Sequence, residues 1–427
     1  MIDSTLSPLF YDAGWNKRPD PGVAGGLKFA KVGRRNEWIV KLQFQQGGKT
    51  STGTGFYLNV PDMKSNIILT AGHNLIDEKG NESKNLEILR PKGSSTKEEI
   101  IGKFYIPKSY RENPTAKNAI NDYGAIITKR GEGVDTAKGF GFSLKTGGEN
   151  LKGRPLEVSG YRGESDPGEP HTSSGHCLRS LPDQIEYEVM TEPGLSGSPV
   201  YLPYKGHDVA VAIHHGHKKG KAIGTRLDER VLCDIFRFAG VGHEGKSLKV
   251  VHPKAHSLGM YLRFSGSGEF GRVRLGRDGL DTTFDIFPGY SPASGEAKAP
   301  GPLYLFRFKH PPSWPKGRGE KEKWVLWDAA NDTVGLTEHL REFCFVQLVK
   351  PKPKKTKPGL AVPKPDSSFN FVVPIKGPKG DELVELRMQK TDITQQDIEL
   401  GLRETSELGF ESHAQGRPVM FKDFQFE

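Results

Sequence analysis

The chain has 427 residues, 35% of them apolar, with 52 glycines and 30 prolines. That length exceeds what one ordinary core needs, and glycines and prolines scattered among short apolar runs argue for two or three mainly β domains rather than a helical chain. The formal net charge of +9 suits nucleic acid or acidic membranes only if it gathers on one face, three cysteines make no disulfide framework, and no window has the continuous apolar length of a membrane span.

The opening MIDSTLSPLFYDAGW lacks a basic stretch followed by a long apolar one, so no secretory leader is expected and an intracellular, cytoplasmic location is. Residues 1–27, with the turn-forming KRPDPGVAGG, read as an irregular lead-in. From there to about residue 127 come WIVKLQF, TGFYLNV, NIILTAGH, NLEILR, IIGKFYI and YGAIITK, each bounded by glycine, asparagine, proline or lysine. This is strand-and-turn punctuation. A second set follows up to residue 240: RPLEVSGY, IEYEVM, GSPVYLP, HDVAVAIHH and KAIGTRL, then DERVLCDIFRFAG with Val231, Leu232, Ile235 and Phe236 at helical spacing. Two β units closed by a helix describe a double barrel over residues 28–240.

GVGHEGK, at 240–246, reads as a link. Residues 245–349 then form an aromatic β-rich domain, with runs such as MYLRFSG, TTFDIFPG, LYLFRFKHP and KWVLWDA. Lysine alternating with proline at 350–366 predicts an extended spacer. Residues 367–427 read as a small α+β module: FNFVVPI and ELVELRMQ flank a turn, a helix starts at Thr394 and stops at Gly409, and VMFKDFQF is a last strand. The link and the spacer are the expected sites of limited proteolysis, and a fragment ending near Gly245 is expected to stand on its own. Residues 245–366 carry more basic than acidic residues and interleaved aromatics, but no recognisable nucleic-acid motif, so a nucleic-acid partner is not expected.

The sharpest chemical signal is PGLSGSPV at 193–200. A serine hydroxyl is a weak nucleophile that needs a general base in reach and donors aimed at the developing oxyanion. Glycines on both sides of Leu195–Ser196 permit a tight turn that exposes the hydroxyl and points the amides of Gly194 and Ser196 into one hole. His73 stands at the end of the apolar run NIILTAGH, behind the small Ala71 and Gly72, as a base delivered to a barrel rim. Asp122, in NDYGAII, precedes another apolar run and could fix the tautomer of His73. Asp77 and Asp135 compete for that role: the first lies close to His73 in sequence, the second in a polar turn. The order His73, Asp122, Ser196, with separations of 49 and 74 residues, puts base and carboxylate on one β unit and nucleophile on the next.

TAGHNL, NDYGAII and PGLSGSPVY, followed by VAVAIHHG, resemble the glutamyl-endopeptidase branch of the chymotrypsin-like serine proteases over about residues 28–240. The resemblance implies a two-barrel fold, hydrolysis of polypeptides through an acyl-enzyme, and no cofactor. It also implies that Thr191 and His214 bind the carboxylate of an acidic P1 residue, and both can donate to one. Trypsin-type relatives have aspartate where Leu195 stands, so activation by a freed amino terminus pairing there is not expected. His214, His215 and His217 invite a metal reading, but strand alternation turns His214 away from the other two and no cysteine or carboxylate completes a set nearby. No metal site is expected.

Overall fold

A computed structural model of the chain describes residues 30–31 and 37–246, apart from 62, 91–98, 103, 131–138, 164–167 and 219. Beyond 246 it describes 249–251, 260–265, 272–276, 283–294, 302–309, 323–328, 333–337, 340, 344–349, 369–377, 380–388, 408–410 and 420–422. The chain divides into two units, Met1–Gly240 with Ser291–Pro300, and Val241–Tyr290 with Gly301–Glu427.

The first unit contains a five-stranded antiparallel sheet. Strand β1 (Ile39–Gln46) and β2 (Lys49–Leu58) are joined by Gly47 and Gly48 at φ 55° and 78°. That two-residue turn needs positive φ at both positions, which is why the sequence reads QGGK there. β3 (Ser65–Thr70), β4 (Lys84–Leu89) and β5 (Gly124–Lys129) complete the order β4-β1-β2-β3-β5. The expected strand IIGKFYI is not one: it touches β5 only through isolated bridges, Ile100 to Thr128 and Tyr105 to Ala125. The sheet is therefore a half-barrel, packed on Val40, Leu42, Tyr57, Ile68, Ile88 and Ile126.

The second barrel closes. β6 (Pro155–Gly160), β7 (His171–Ser180), β8 (Gln184–Glu188), β9 (Pro199–Tyr204), β10 (His207–Lys218) and β11 (Lys221–Arg226) run β7-β8-β11-β10-β9-β6, and β6 pairs back to β7. β7, HTSSGHCLRS, escapes a hydrophobicity reading because only Ser173 and Cys177 turn into the core. Leu156, Val158, Ile185, Val200 and Val211 fill the barrel. The helix Glu229–Phe238 follows, capped by Asp228, whose side chain accepts the Val231 N–H. A half-barrel and a closed six-stranded barrel are thus the form that the expected double barrel takes. A later segment joins it: the Pro292 carbonyl accepts from Asn59 Nδ2 at 2.7 Å, and Ser294 exchanges bonds of 2.9 and 3.1 Å with Gly139.

The second unit is antiparallel β. His243–Lys246, expected as a link, is a strand paired with Thr283–Ser291, because its backbone continues a ladder that its polar side chains do not advertise. Phe369–Gly377 and Gly380–Met388 form the expected hairpin, and they join Val346–Val349 and Met420–Lys422 in one sheet. Gly409, expected as a helix stop, lies in the strand Leu408–Phe410 and pairs with Arg387. The lead-in, the spacer at 350–366 and the helix expected from Thr394 lie outside the described residues. Among the described residues, no helix is long and apolar enough to cross a membrane.

Candidate active site

β3 is buried through Ile67, Ile68 and Leu69, so it crosses the core and releases the chain at Ala71 into one turn of 3-10 helix, Gly72–Asn74. His73 is the middle residue of that turn. A Cβ at Gly72 would stand 2.9 Å from the Tyr110 ring and 3.1 Å from Asp122 Oδ1, so only glycine lets the carboxylate come up beneath the histidine.

Asp122 ends a 3-10 stretch just before β5 and is 2% exposed. Its Oδ1 accepts the His73 backbone N–H at 2.9 Å, and its Oδ2 lies 2.8 Å from His73 Nδ1. Burial pushes the Asp122 carboxyl up, but the charge and hydrogen bonds of His73, with help from His215, hold it below the ordinary carboxylate value. A carboxylate so placed keeps the proton on Nδ1 and leaves Nε2 as the basic nitrogen. The competing Asp77 accepts the Lys79 and Asn81 amides and serves its own turn. Asp135 lies outside the described residues.

Ser196 comes from the other barrel, between β8 and β9. Its carbonyl accepts from Thr54 N–H at 2.8 Å and from Asn74 Nδ2 at 2.9 Å. The residue after His73 and a residue of β2 thus both grip the serine. Gly197 sits at φ +90°, where a side chain would be strained and would run into the Thr54 carbonyl. Gly194 sits at φ +96°, and a Cβ there would run into the Gly163 amide and the Tyr161 carbonyl. Thr54 Oγ1 donates to the Gly194 carbonyl at 2.8 Å and accepts from Tyr161 N–H at 3.0 Å. Leu195 is buried.

His214 lies beside this loop: its N–H donates to Ser198 O at 2.9 Å and its carbonyl accepts Gly197 N–H at 2.7 Å. Both faces of β10 are buried here, as Val209 to Ile213 show, so His214 and His215 are both covered; a register shift between His214 and Gly216 follows. Burial, reinforced by the other histidines, takes His214 down to about 3, so it is neutral at ordinary pH. The same cause takes His215 to about 4, opposed by the Asp122 charge. His214 Nδ1 is 2.7 Å from the hydroxyl of Tyr187, a phenol that burial pushes up and keeps protonated. The tyrosine can therefore donate to Nδ1 and leave the proton on Nε2. Gly224, paired with His214 across the ladder, keeps the space this contact uses. Thr191 is half-buried on the stretch from β8 to Gly194.

Sequence reading missed Asn74, Thr54 and Tyr187, and it weighed His215 only as a metal ligand and not as a neighbour of Asp122. Asn74 lies inside the TAGHNL motif, and its amide was legible there as a polar group on an apolar turn. Tyr187 falls on the inward beat of IEYEVM, and nothing local pairs it with a histidine 27 positions on.

No family model matches the chain. A glutamyl endopeptidase from Bacillus licheniformis is 29% identical over 180 residues, 39% of this chain and 55% of that protein. The match thus spans about half the length of the curated relative. Similar solved structures include a Glu endopeptidase in complex with MPD, 21% identical with a TM-score of 0.40 over 51% of this chain and 98% of that one. Another is the protease Anisep from Arthrobacter nicotinovorans, at 19% identity and TM-score 0.40 over 49% and 98%. A third is the thermostable serine protease AL20, at 16% and 0.39 over 48% and 97%.

Proposed function

We infer that this chain, a chymotrypsin-like serine protease homologue of the glutamyl-endopeptidase branch, is a serine endopeptidase acting through Ser196, His73 and Asp122. The observation that carries the reading is the double hold of Asp122 on His73, with the next residue, Asn74, fastened to the Ser196 carbonyl. Ser196 Oγ attacks the scissile carbonyl while His73 Nε2 takes its proton. The imidazolium, stabilised by Asp122, then protonates the leaving amine, and the acyl-enzyme forms. Water repeats the sequence, with His73 again as base, and frees the acid. The N–H groups of Gly194 and Ser196 stabilise the oxyanion in both halves.

For specificity we propose an acidic residue at P1. Thr191 and His214 stand at the matching positions of the branch, and His214 with Tyr187 supplies an uncharged imidazole whose Nε2–H can donate. Cleavage of a peptide library by the full chain and by Ser196→Ala tests both statements. Activity that survives in the variant overturns the first. A preference for basic or aromatic P1 overturns the second.

A further inference from the structure

Leu195 replaces the acid that would otherwise anchor the nucleophile loop to a freed amino terminus, so something else has to hold Glu192–Ser196 in shape. The loop is fastened to the segment that follows β6. Arg162 Nε and Nη2 donate to Glu192 Oε2 and Oε1 at 2.7 and 2.8 Å, a two-pronged ion pair. One residue on, Gly163 N–H donates to the Pro193 carbonyl at 2.7 Å. Within the loop, Leu195 N–H turns back to Glu192 O at 3.2 Å. The Pro193–Gly194 peptide is trans, so turning its carbonyl onto Gly163 sends the Gly194 N–H to the opposite side. That amide is the oxyanion donor in the reading of Ser196 as nucleophile. Rotation of this one peptide plane would withdraw it.

We propose that Arg162 is a positioning residue: by pairing with Glu192 it keeps Gly163 against the Pro193 carbonyl and the Gly194 N–H turned toward the oxyanion, so the chain needs no amino-terminal activation step. The proposal rests on the serine-protease reading for its catalytic consequence, and on geometry alone for its structural one. The pair is about one-third exposed on each side, 33% and 35%, so it biases the loop rather than locking it. Its loss should show as a lower kcat at unchanged KM, because an oxyanion donor acts in the transition state and not in ground-state binding.

The test uses the full chain with Arg162→Ala, Glu192→Ala, the double alanine variant, and the swapped pair Arg162→Glu with Glu192→Arg. Steady-state hydrolysis of a short peptide is measured alongside amide hydrogen exchange of the segment 192–196. Each single variant is expected to lose about three- to tenfold in kcat with KM unchanged, a loss of the size an exposed ion pair can bring about. The double variant should be no worse than either single one, and the swapped pair should recover part of the loss. High salt should bring the wild type toward the variants. Exchange at 192–196 should rise while 67–70 stays protected. Wild-type kcat and wild-type exchange in the single variants would overturn the proposal, as would an effect confined to KM or a rise in exchange across the whole unit. If the wild type hydrolyses nothing while exchange responds as described, the protease reading fails and the loop contact stands. If the wild type is active and the variants match it in both readouts, the positioning role alone fails.

Discussion

Asn74 Nδ2 donates to the carbonyl of Ser196 over 2.9 Å and to Thr70 Oγ1 over 2.9 Å, so one buried amide ties the end of β3 to the Ser196 loop of the other barrel. The neighbouring His73 is pinned from behind as well, its carbonyl accepting from Gln46 Nε2 at 2.8 Å. Asn74→Ala removes both donors and leaves two buried acceptors short of a partner. The expected cost is about 1–3 kcal/mol in unfolding free energy, and because the lost bond sets the placement of Ser196, kcat should fall by about tenfold or more. Urea unfolding and steady-state kinetics on the same variant check the two parts. A stability loss with kcat intact would mean that the amide is a strut only.

The triad assignment makes a pattern of losses, not a single one. Ser196→Ala and His73→Ala should each lower kcat by about six orders of magnitude, and the double variant should be little worse, since the groups act as a unit. Asp122→Asn should fold, because an amide can keep one of the two carboxylate bonds to His73. It should still lose about four orders of magnitude through the wrong tautomer. Losses that simply add in the double variant would speak against a shared mechanism.

Much of this site was legible in the chain because its motifs are local. NIILTAGH states its own geometry: an apolar strand, two small residues, then a base, and Gly72 is small because Asp122 Oδ1 lies within 3.1 Å of where a Cβ would be. PGLSGSPV likewise shows in its glycines the φ values of +96° and +90° that the turn adopts. The rest depends on pairs far apart in sequence. Thr54 to Gly194 spans 140 positions and Tyr187 to His214 spans 27, and neither residue type signals its partner. β7 was invisible for another reason: a barrel strand dominated by serine, threonine and histidine is held by its ladders and not by an apolar stripe.

Stability should fall with acid in a window set by the two buried histidines. Both are lowered in the folded chain, to about 3 and about 4, from an ordinary 6.5. A histidine held neutral stabilises the fold fully above its unfolded value, and that contribution drains as pH falls from 6.5 toward the folded value, because the unfolded chain takes up the proton first. Asp122, lowered too, adds a loss only below the ordinary carboxylate range. Urea midpoints should therefore be flat above pH 7 and fall between pH 6.5 and about 4. His214→Gln should flatten that slope. A wild-type midpoint that is the same at pH 7 and pH 5 would contradict the burial of these rings.

The first unit borrows Ser291–Pro300 from beyond residue 240, so a fragment ending near Gly245 should be weaker than its barrels suggest. It loses the carbonyl that Asn59 Nδ2 reaches at 2.7 Å and both bonds between Gly139 and Ser294. With about 0.5–1.5 kcal/mol per bond, its melting temperature should drop by several degrees relative to the same unit in the full chain. Asn59→Ala in the full chain should reproduce part of that drop. A fragment with undiminished melting temperature and peptide hydrolysis would show that the returning segment is dispensable.

The remaining expectation is glutamate, or glutamate and aspartate, at P1. The imidazole at His214 is buried, neutral and 2.7 Å through Nδ1 from the Tyr187 hydroxyl, so a hydroxyl that donates to Nδ1 leaves Nε2–H as an uncharged donor. An uncharged donor discriminates by hydrogen bonding, and the preference for an acidic residue should follow ionisation of the substrate carboxylate, with no weakening between pH 6 and 8. A protonated His214 would instead make the preference fade as pH rises through that range. His214→Ala should lower kcat/KM for acidic P1 by more than it lowers it for neutral P1, by about tenfold or more. Tyr187→Phe frees the tautomer without emptying the site, so it should give a smaller loss, again confined to acidic P1. Cleavage maps of the wild type and both variants against one peptide library, taken at pH 6 and pH 8, measure all of this. A preference for arginine, lysine or large aromatics at P1, unchanged by either substitution, would remove His214 from specificity and leave the triad assignment standing.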